Sequence, residues 1–356
     1  MNKIKSYQTY LAPLLGWAFF AGHHFFHGFF FHIILLLVLI YCVLESVHHA
    51  EVIADRVGEP FGTLLLALCV TAIEVSIIIS LMIPGGPHAA GLARDTVYAA
   101  VMIILNGMIG LSILVGGIKF KEQTFILQGA SITLTVLIPM SVLMFILPDF
   151  TTSVPGPVYS PPQQIFIAIV VLFLYLSFMV VQNFRHRAHF VEEHEKREHH
   201  PEKPSNRQTQ MSFLLLLACL GAIVALAESQ SHELEEFLDR VNAPRSLVGV
   251  ILAFITLLPE GLSAYKASRK NQLQKSLNLA LGSALASIGL TMPIIALVAA
   301  VFHMPLILGI GSMSTLLFFL SITVIIQSLA TGRTNIIQGL VLLVIFFVSL
   351  FLLIFP

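Results

Sequence analysis

Two carboxylates stand where carboxylates are expensive. Thr71-Ala72-Ile73-Glu74 and Thr256-Leu257-Leu258-Pro259-Glu260 each set a glutamate deep within an otherwise apolar, helix-length run. A charged side chain at bilayer depth costs about 2.5–3.5 kcal/mol on insertion scales, so such residues are functional by default. Positions three or four apart share a helix face. Thr71, Ala67 and Thr63 therefore line the Glu74 side of one helix, and Thr256, Ser263, Gly249 and Ala253 line the Glu260 side of the other. Pro259 removes a backbone donor next to Glu260 and is expected to loosen that helix, freeing a carbonyl for a cation. A purely structural role, a neutral carboxyl packed or paired with a base, lacks a partner, because no Lys or Arg lies at comparable depth.

The chemistry on offer is competition between a proton and a metal. A carboxyl group taken out of water favours its neutral, protonated form, and a bound cation reverses that preference. Hard cations such as calcium and sodium take carboxylate, carbonyl, hydroxyl and water oxygens. If the carrier changes sides only when loaded with one or the other, the outcome is antiport. Asn106, Gly107, Gly110 and Ser112 form a second polar, small-residue stretch, and Asn278, Gly282, Ala286 and Gly289 form a third, with Ser283 and Ser287 adjacent. Small residues allow close helix crossing, and these helices are expected to complete the site. For Asn106, Ser283 and Ser287 individually, ligation and plain packing remain alternative roles. Glu59 is a candidate gating carboxylate, or a solvated helix end. The candidate metal-contacting set is therefore Glu74, Glu260, Thr71, Thr256, Ser283, Asn278 and Asn106, with Glu74 and Glu260 also carrying the proton. No cofactor is expected, since the cations are cargo.

The elements that hold these residues follow from composition. The chain has 356 residues, 57% hydrophobic and 11% charged, against about 25% charged in soluble domains. The lipid bilayer is thus the expected solvent and partner. The formal net charge of zero gives no ground for nucleic-acid binding. A spanning helix needs about 20 mostly apolar residues. Eleven segments fit, near 8–22, 28–46, 62–83, 95–117, 127–147, 163–184, 211–228, 246–266, 277–301, 305–328 and 336–355. Cys42, Cys69 and Cys219 lie inside these runs without CxxC spacing and read as small core residues. The first run lacks a small-residue cleavage site, so no removed signal is expected.

Lys and Arg concentrate in cytoplasmic loops. With the N-terminus inside, all 19 basic residues except Arg94, Arg240 and Arg245 fall on the cytoplasmic side, and the C-terminus lies outside. The long polar stretch 185–210 separates two halves. Asp55-Arg56-Val57-Gly58-Glu59-Pro60 precedes the Glu74 helix, and Asp239-Arg240-Val241-Asn242-Ala243-Pro244 precedes the Glu260 helix. Five spans per half is odd, so the halves insert with opposite orientation, the inverted-repeat plan of secondary transporters. The expected organisation is 1–27 with an extra helix, 28–184 as the first repeat, 185–210 as a cytoplasmic loop and 211–356 as the second repeat. In the loop, His186, His189, His194, His199 and His200 stand among glutamates. They form a pH or metal sensor, or a simple solvated linker.

These stretches resemble the calcium/proton exchanger branch of the calcium–cation antiporter superfamily, and most closely its bacterial ChaA-type sodium/potassium/calcium–proton antiporters. The resemblance rests on GEPFGTLLLALCVTAIEVSIIIS at 58–80, LVGGIKFKEQTF at 114–125 and NAPRSLVGVILAFITLLPEGLSAYKASRKNQ at 242–272. NLALGSALASIGLTMP at 278–293 and TGRTNIIQG at 331–339 extend it over nearly the whole chain. It implies an all-α polytopic fold of about 11 transmembrane helices, one extra N-terminal helix plus two inverted five-helix repeats. It also implies that Glu74 and Glu260 are the paired site acids. The G-N-A-x-E pattern of calcium exchangers is absent at both glutamates, which removes two amide ligands and keeps sodium and potassium open beside calcium. The expected function is alternating-access exchange of cations for protons in a bacterial inner membrane. A passive cation channel is the alternative. An intramembrane enzyme lacks its motifs, with no HExxH and no G-x-S-x-G.

Overall fold

The computed structural model describes residues 2–23, 25, 28–58, 61–185, 204–240, 244 and 246–355. They form eleven helices: α1 (Asn2–Gly22), α2 (Phe29–Val57), α3 (Phe61–Gly85), α4 (Leu92–Phe120), α5 (Leu127–Phe150), α6 (Pro161–Arg185), α7 (Asn206–Arg240), α8 (Ser246–Ser268), α9 (Leu273–Val301), α10 (Gly311–Leu329) and α11 (Ile336–Ile354). Ten of these hold stretches long and apolar enough to cross a membrane, while the apolar part of α1 is shorter, Tyr10–Gly22. Helices α2 and α7 run well beyond their expected ends at 46 and 228. Their polar extensions carry good helix formers, and backbone pairing there needs no apolar surroundings.

The chain forms two compact units that cut across chain order. One comprises Met1–Ala89 with Pro201–Val248, and the other Ala90–His200 with Gly249–Pro356.

In the first unit α7 is the hub on which α1, α2 and α3 pack. Small residues let the helices close up. A Cβ placed on Gly16 would lie 2.7 Å from Ala222 Cβ and 2.9 Å from Cys42 Sγ. Trp17 donates its indole N–H to Ala218 O at 3.1 Å, leaning over Gly221. Where α2 begins, Gln230 donates to His32 O at 3.0 Å and its Oε1 meets His32 Nδ1 at 3.1 Å.

In the second unit α4 and α9 are the most buried of the membrane-length helices. Each contains one π turn, Ile103–Met108 in α4 and Ser287–Thr291 in α9. The two helices run antiparallel, with Ser276 Oγ donating to Ser112 Oγ at 2.7 Å. Helix α8 runs parallel to α4. A Cβ on Gly249 would sit 2.7 Å from Thr96 N, one on Gly261 would sit 3.9 Å from Met108 Cγ, and Ser268 donates to Ser112 O. Helix α11 packs on α4 through Gly339, whose Cβ position is 2.5 Å from Leu114 N.

Both central helices end alike. Lys121 follows α4 at φ 68° and His303 follows α9 at φ 54°, and a non-helical segment follows each. After α4, β1 (Glu122–Thr124) pairs antiparallel with β2 (Arg333–Asn335), in register Glu122↔Asn335. After α9, residues 304–310 form neither helix nor strand, so α10 starts at Gly311 and not at 305 as the hydropathy implied. Pro305 disfavours helix in the residue before it. This strap finds its partners elsewhere: Ile307 N donates to Ala90 O at 2.9 Å and Ile310 N to Phe145 O at 3.0 Å. Arg94 donates to Gly309 O at 2.8 Å, and the Asp149 carboxylate accepts from Gly311 N at 2.9 Å.

Candidate cation-binding site

The candidate residues divide between the two units. In the first, Glu74 sits mid-way along α3 and is only 4% exposed, with Thr71 one turn earlier also buried. Ile73, Ile77 and Ile78 are buried around them. The apolar run that makes α3 a spanning helix thus also strips water from its one carboxyl group. Thr63 lies on α3, and Glu59 lies outside the described residues, as does the histidine stretch 186–203.

The other five candidates belong to the second unit. Thr256 is buried on α8 and donates to Leu252 O at 3.1 Å and Ala253 O at 3.2 Å. Its hydrogen is spent on its own helix, which leaves the oxygen lone pairs as its remaining valence. Glu260 is half-buried one turn further on. Two expectations about α8 need correction. The helix runs unbroken through Pro259, because a single missing N–H is tolerated when both flanking turns stay paired. Ser263 is exposed while its neighbour Ala264 is buried, so Ser263 does not share the inward face of α8.

Asn106 is fully buried in the π turn of α4. Its amide orientation follows from its neighbours. Met102 O, 3.3 Å away, can only accept, and Ser321 spends its own hydrogen on Leu317 O at 2.8 Å. Asn106 Nδ2 therefore faces them, donating to Ser321 Oγ at 2.9 Å. Its Oδ1 is left buried with no hydrogen-bond partner among the described residues. Such an atom carries a desolvation penalty of about 1–3 kcal/mol that a bound cation would relieve.

Three helices bring oxygens to this level. The contact of Gly261 with Met108 sets Glu260 beside the π turn of α4. Six residues from the Ser112–Ser276 contact along the antiparallel pair lead to Asn106 on α4 and Gly282 on α9. A Cβ on Gly282 would meet nothing within 4 Å, so there is open space beside this half-buried turn of α9. Ser283 and Asn278 are half-buried on the same stretch of α9. Gly289, expected on the same polar face, instead packs against Tyr175, its Cβ position only 2.6 Å from Tyr175 Cβ.

Sequence reasoning missed three features. The π turns have no signature in hydropathy, although they commonly mark functional sites. Ser321 on α10 is fully buried and orients Asn106, yet reads as one hydroxyl in an apolar run. Gln274, 2% exposed, holds Asn278 Oδ1 at 2.9 Å. The donor set is all oxygen, and no cluster of three His, Cys, Asp or Glu residues that could hold a metal occurs among the described residues.

The family model described as sodium/calcium exchanger protein matches residues 27–184 and 211–355, well over half the chain. The chain belongs to the sodium/calcium exchanger family. Membership makes it a multi-pass membrane protein and a secondary active cation exchanger, built as an extra helix plus two inverted five-helix repeats. Among relatives in this family, the putative ionic transporter y4hA of Sinorhizobium fredii is 42% identical over 88% of this chain and 86% of its own length. The sodium-potassium/proton antiporter ChaA of Escherichia coli is 35% identical over 86% of this chain and 84% of its own. The solved structure of native YfkE superposes with a TM-score of 0.78 at 18% identity, covering 98% of this chain and all of that one. The H+/Ca2+ exchanger CAX gives 0.70 at 15% identity, over 98% of this chain and 89% of that one. These exchangers share the fold.

Proposed function

We propose that this exchanger is a proton-coupled cation antiporter taking calcium and also sodium or potassium, with Glu74 and Glu260 as the acids of one midplane site. The observation that carries this reading is the Asn106 Oδ1, buried without a partner at the level of Glu260. A desolvated oxygen at the level of a carboxylate offers two of the oxygen ligands that a hard cation takes. Thr256 and Ser283 add hydroxyl oxygens, and Asn278 a second amide oxygen. Glu74 and Thr71 enter as the repeat counterparts of Glu260 and Thr256, since both glutamates follow a D-R-V-x-x-P stretch by a similar interval. Glu74 is buried among isoleucines on α3, the one carboxyl group of that helix.

The cation range draws support from relatives. The Escherichia coli relative is named a sodium-potassium/proton antiporter, and a Bacillus subtilis relative, 23% identical, a Ca(2+)/H(+) antiporter. Their bacterial source favours the inner membrane, and the basic-residue bias favours a cytoplasmic N-terminus. Glu59, which precedes α3 in the sequence, is the candidate gating carboxylate of this reading.

The test is reconstitution into proteoliposomes carrying an internal pH indicator. Outward-facing addition of calcium, sodium or potassium chloride should alkalinise the lumen as protons leave against the cation. Cation flux with no pH change would instead identify a passive channel and overturn the antiport reading.

A further inference from the structure

Gln274 occupies the first turn of α9, and both ends of its amide are spoken for. Its Oε1 accepts from the backbone N–H of Ile126 at 2.6 Å, and its Nε2 donates to Asn278 Oδ1 at 2.9 Å. A backbone N–H can only donate, so it fixes which end of the Gln274 amide faces the α4–α5 connection. The Gln274 orientation in turn fixes that of Asn278, whose oxygen must face Gln274. Gln274 precedes Asn278 by one turn, on the side away from Gly282 and Asn106. The Asn278 oxygen is therefore drawn away from the open space at Gly282.

The residue at the other end of this relay is not on a helix. Ile126 follows β1 and leads into α5, at φ −80°. The same connection is anchored by Gln123, which is buried and donates to Ser268 O at 3.2 Å and to Asn271 Oδ1 at 2.9 Å. A shift of this connection would withdraw the Ile126 N–H and let the Gln274 amide turn.

We propose that Gln274 is a positioning residue, a latch that withholds the Asn278 oxygen from the cation until the α4–α5 connection moves. The proposal rests on the reading of Asn278 as a cation ligand in a proton-coupled exchanger. In the latched state one lone pair of the Asn278 oxygen is engaged by an N–H, and the cation must compete for it. Breaking the latch should tighten cation binding by about fivefold, the equivalent of one neutral hydrogen bond of about 1 kcal/mol.

Gln274→Met and Gln274→Glu test this together. The first removes both bonds at nearly constant volume. The second keeps an acceptor for Ile126 N–H, and so keeps the loop anchor, and in its ionised form, reached at alkaline pH, it has no hydrogen for Asn278. The apparent KM for calcium is read in pH-indicator proteoliposomes at fixed pH, in the native background and with Asn278→Ala. Both variants should lower KM about fivefold in the native background and leave it unchanged in the Asn278→Ala background, because the latch then has nothing to hold. A raised KM, or the same shift in both backgrounds, overturns the latch. Exchange by the native protein with an unchanged KM in both variants overturns the latch alone, while absence of exchange by the native protein overturns the transport reading beneath it.

Discussion

Ser321 on α10 accepts the amide hydrogen of Asn106 on α4 at 2.9 Å, and that bond decides which way the Asn106 oxygen faces. Ser321 is committed as donor to Leu317 O, so it must accept from Asn106. A polar residue outside the candidate ligand set thus prepares an oxygen for the site. In the proposed site the arrangement would be preorganised, since no amide rotation would be needed for the oxygen to face a cation.

Removing either member separates ligation from orientation. Asn106→Ala takes away the oxygen and should raise the apparent KM for cation about tenfold. Ser321→Ala leaves the oxygen but frees the amide to turn, at the loss of roughly one hydrogen bond worth about 1 kcal/mol. Its KM should rise by a few fold, less than in Asn106→Ala. Initial rates against external calcium in proteoliposomes give both numbers, and equal effects of the two variants would argue against the oxygen as a ligand.

The glutamates should be all-or-none. Glu74→Gln and Glu260→Gln keep volume and hydrogen bonding but remove the charge that draws the cation and the site that carries the proton. Each should reduce exchange about a hundredfold or more while membrane abundance stays within about twofold of the parent. Glu74 is the more buried of the two, and its neutral variant should insert at least as well, since a charge within a span opposes insertion. Normal cation-driven proton movement by either variant would remove that residue from the mechanism.

Much of this was legible beforehand for a physical reason. The bilayer demands long apolar helices, so hydropathy located each of the eleven helices among the described residues, and a carboxylate within such a span stands out against that background. Helix ends were less legible where the backbone is paired by something other than helix. The 304–310 strap reads as apolar as a helix, yet its N–H groups go to Ala90, Pro157 and Phe145. Gln274 and Ser321 were not legible at all, because their roles depend on contacts with residues 148 and 215 positions away in the chain. The π turns of α4 and α9 are settled by packing around one extra residue, which leaves no mark on composition.

Two glycines seven residues apart on α9 should behave oppositely. A Cβ on Gly289 would lie 2.6 Å from Tyr175 Cβ and 2.7 Å from Met140 Cε. Gly289→Ala must push α6 and α5 away and should destabilise by about 1–3 kcal/mol, the usual range for overpacking. A Cβ on Gly282 meets nothing within 4 Å. Gly282→Ala should leave the thermal midpoint in detergent unchanged or slightly raised, since alanine is the better helix former by up to about 1 kcal/mol. If the open space beside Gly282 belongs to the cation path, Gly282→Ala should nevertheless slow exchange several-fold. A stable variant with full exchange would show that the space serves no transport role.

Orientation rests on the basic residues and can be read chemically. Five membrane-length helices, α7 to α11, separate Ser205 from Phe355, so the two must face opposite sides if each crosses once. The basic-residue bias puts Ser205 inside. In a background with Cys42, Cys69 and Cys219 replaced by alanine, Phe355→Cys should react with a membrane-impermeant maleimide in intact spheroplasts. Ser205→Cys should react only after the membrane is opened. Labelling of Ser205→Cys alone in intact spheroplasts would invert the assigned orientation. Labelling of both would mean that one of α7 to α11 does not cross, and an even number of crossings in this half would break the inverted repeat that makes Glu74 and Glu260 counterparts.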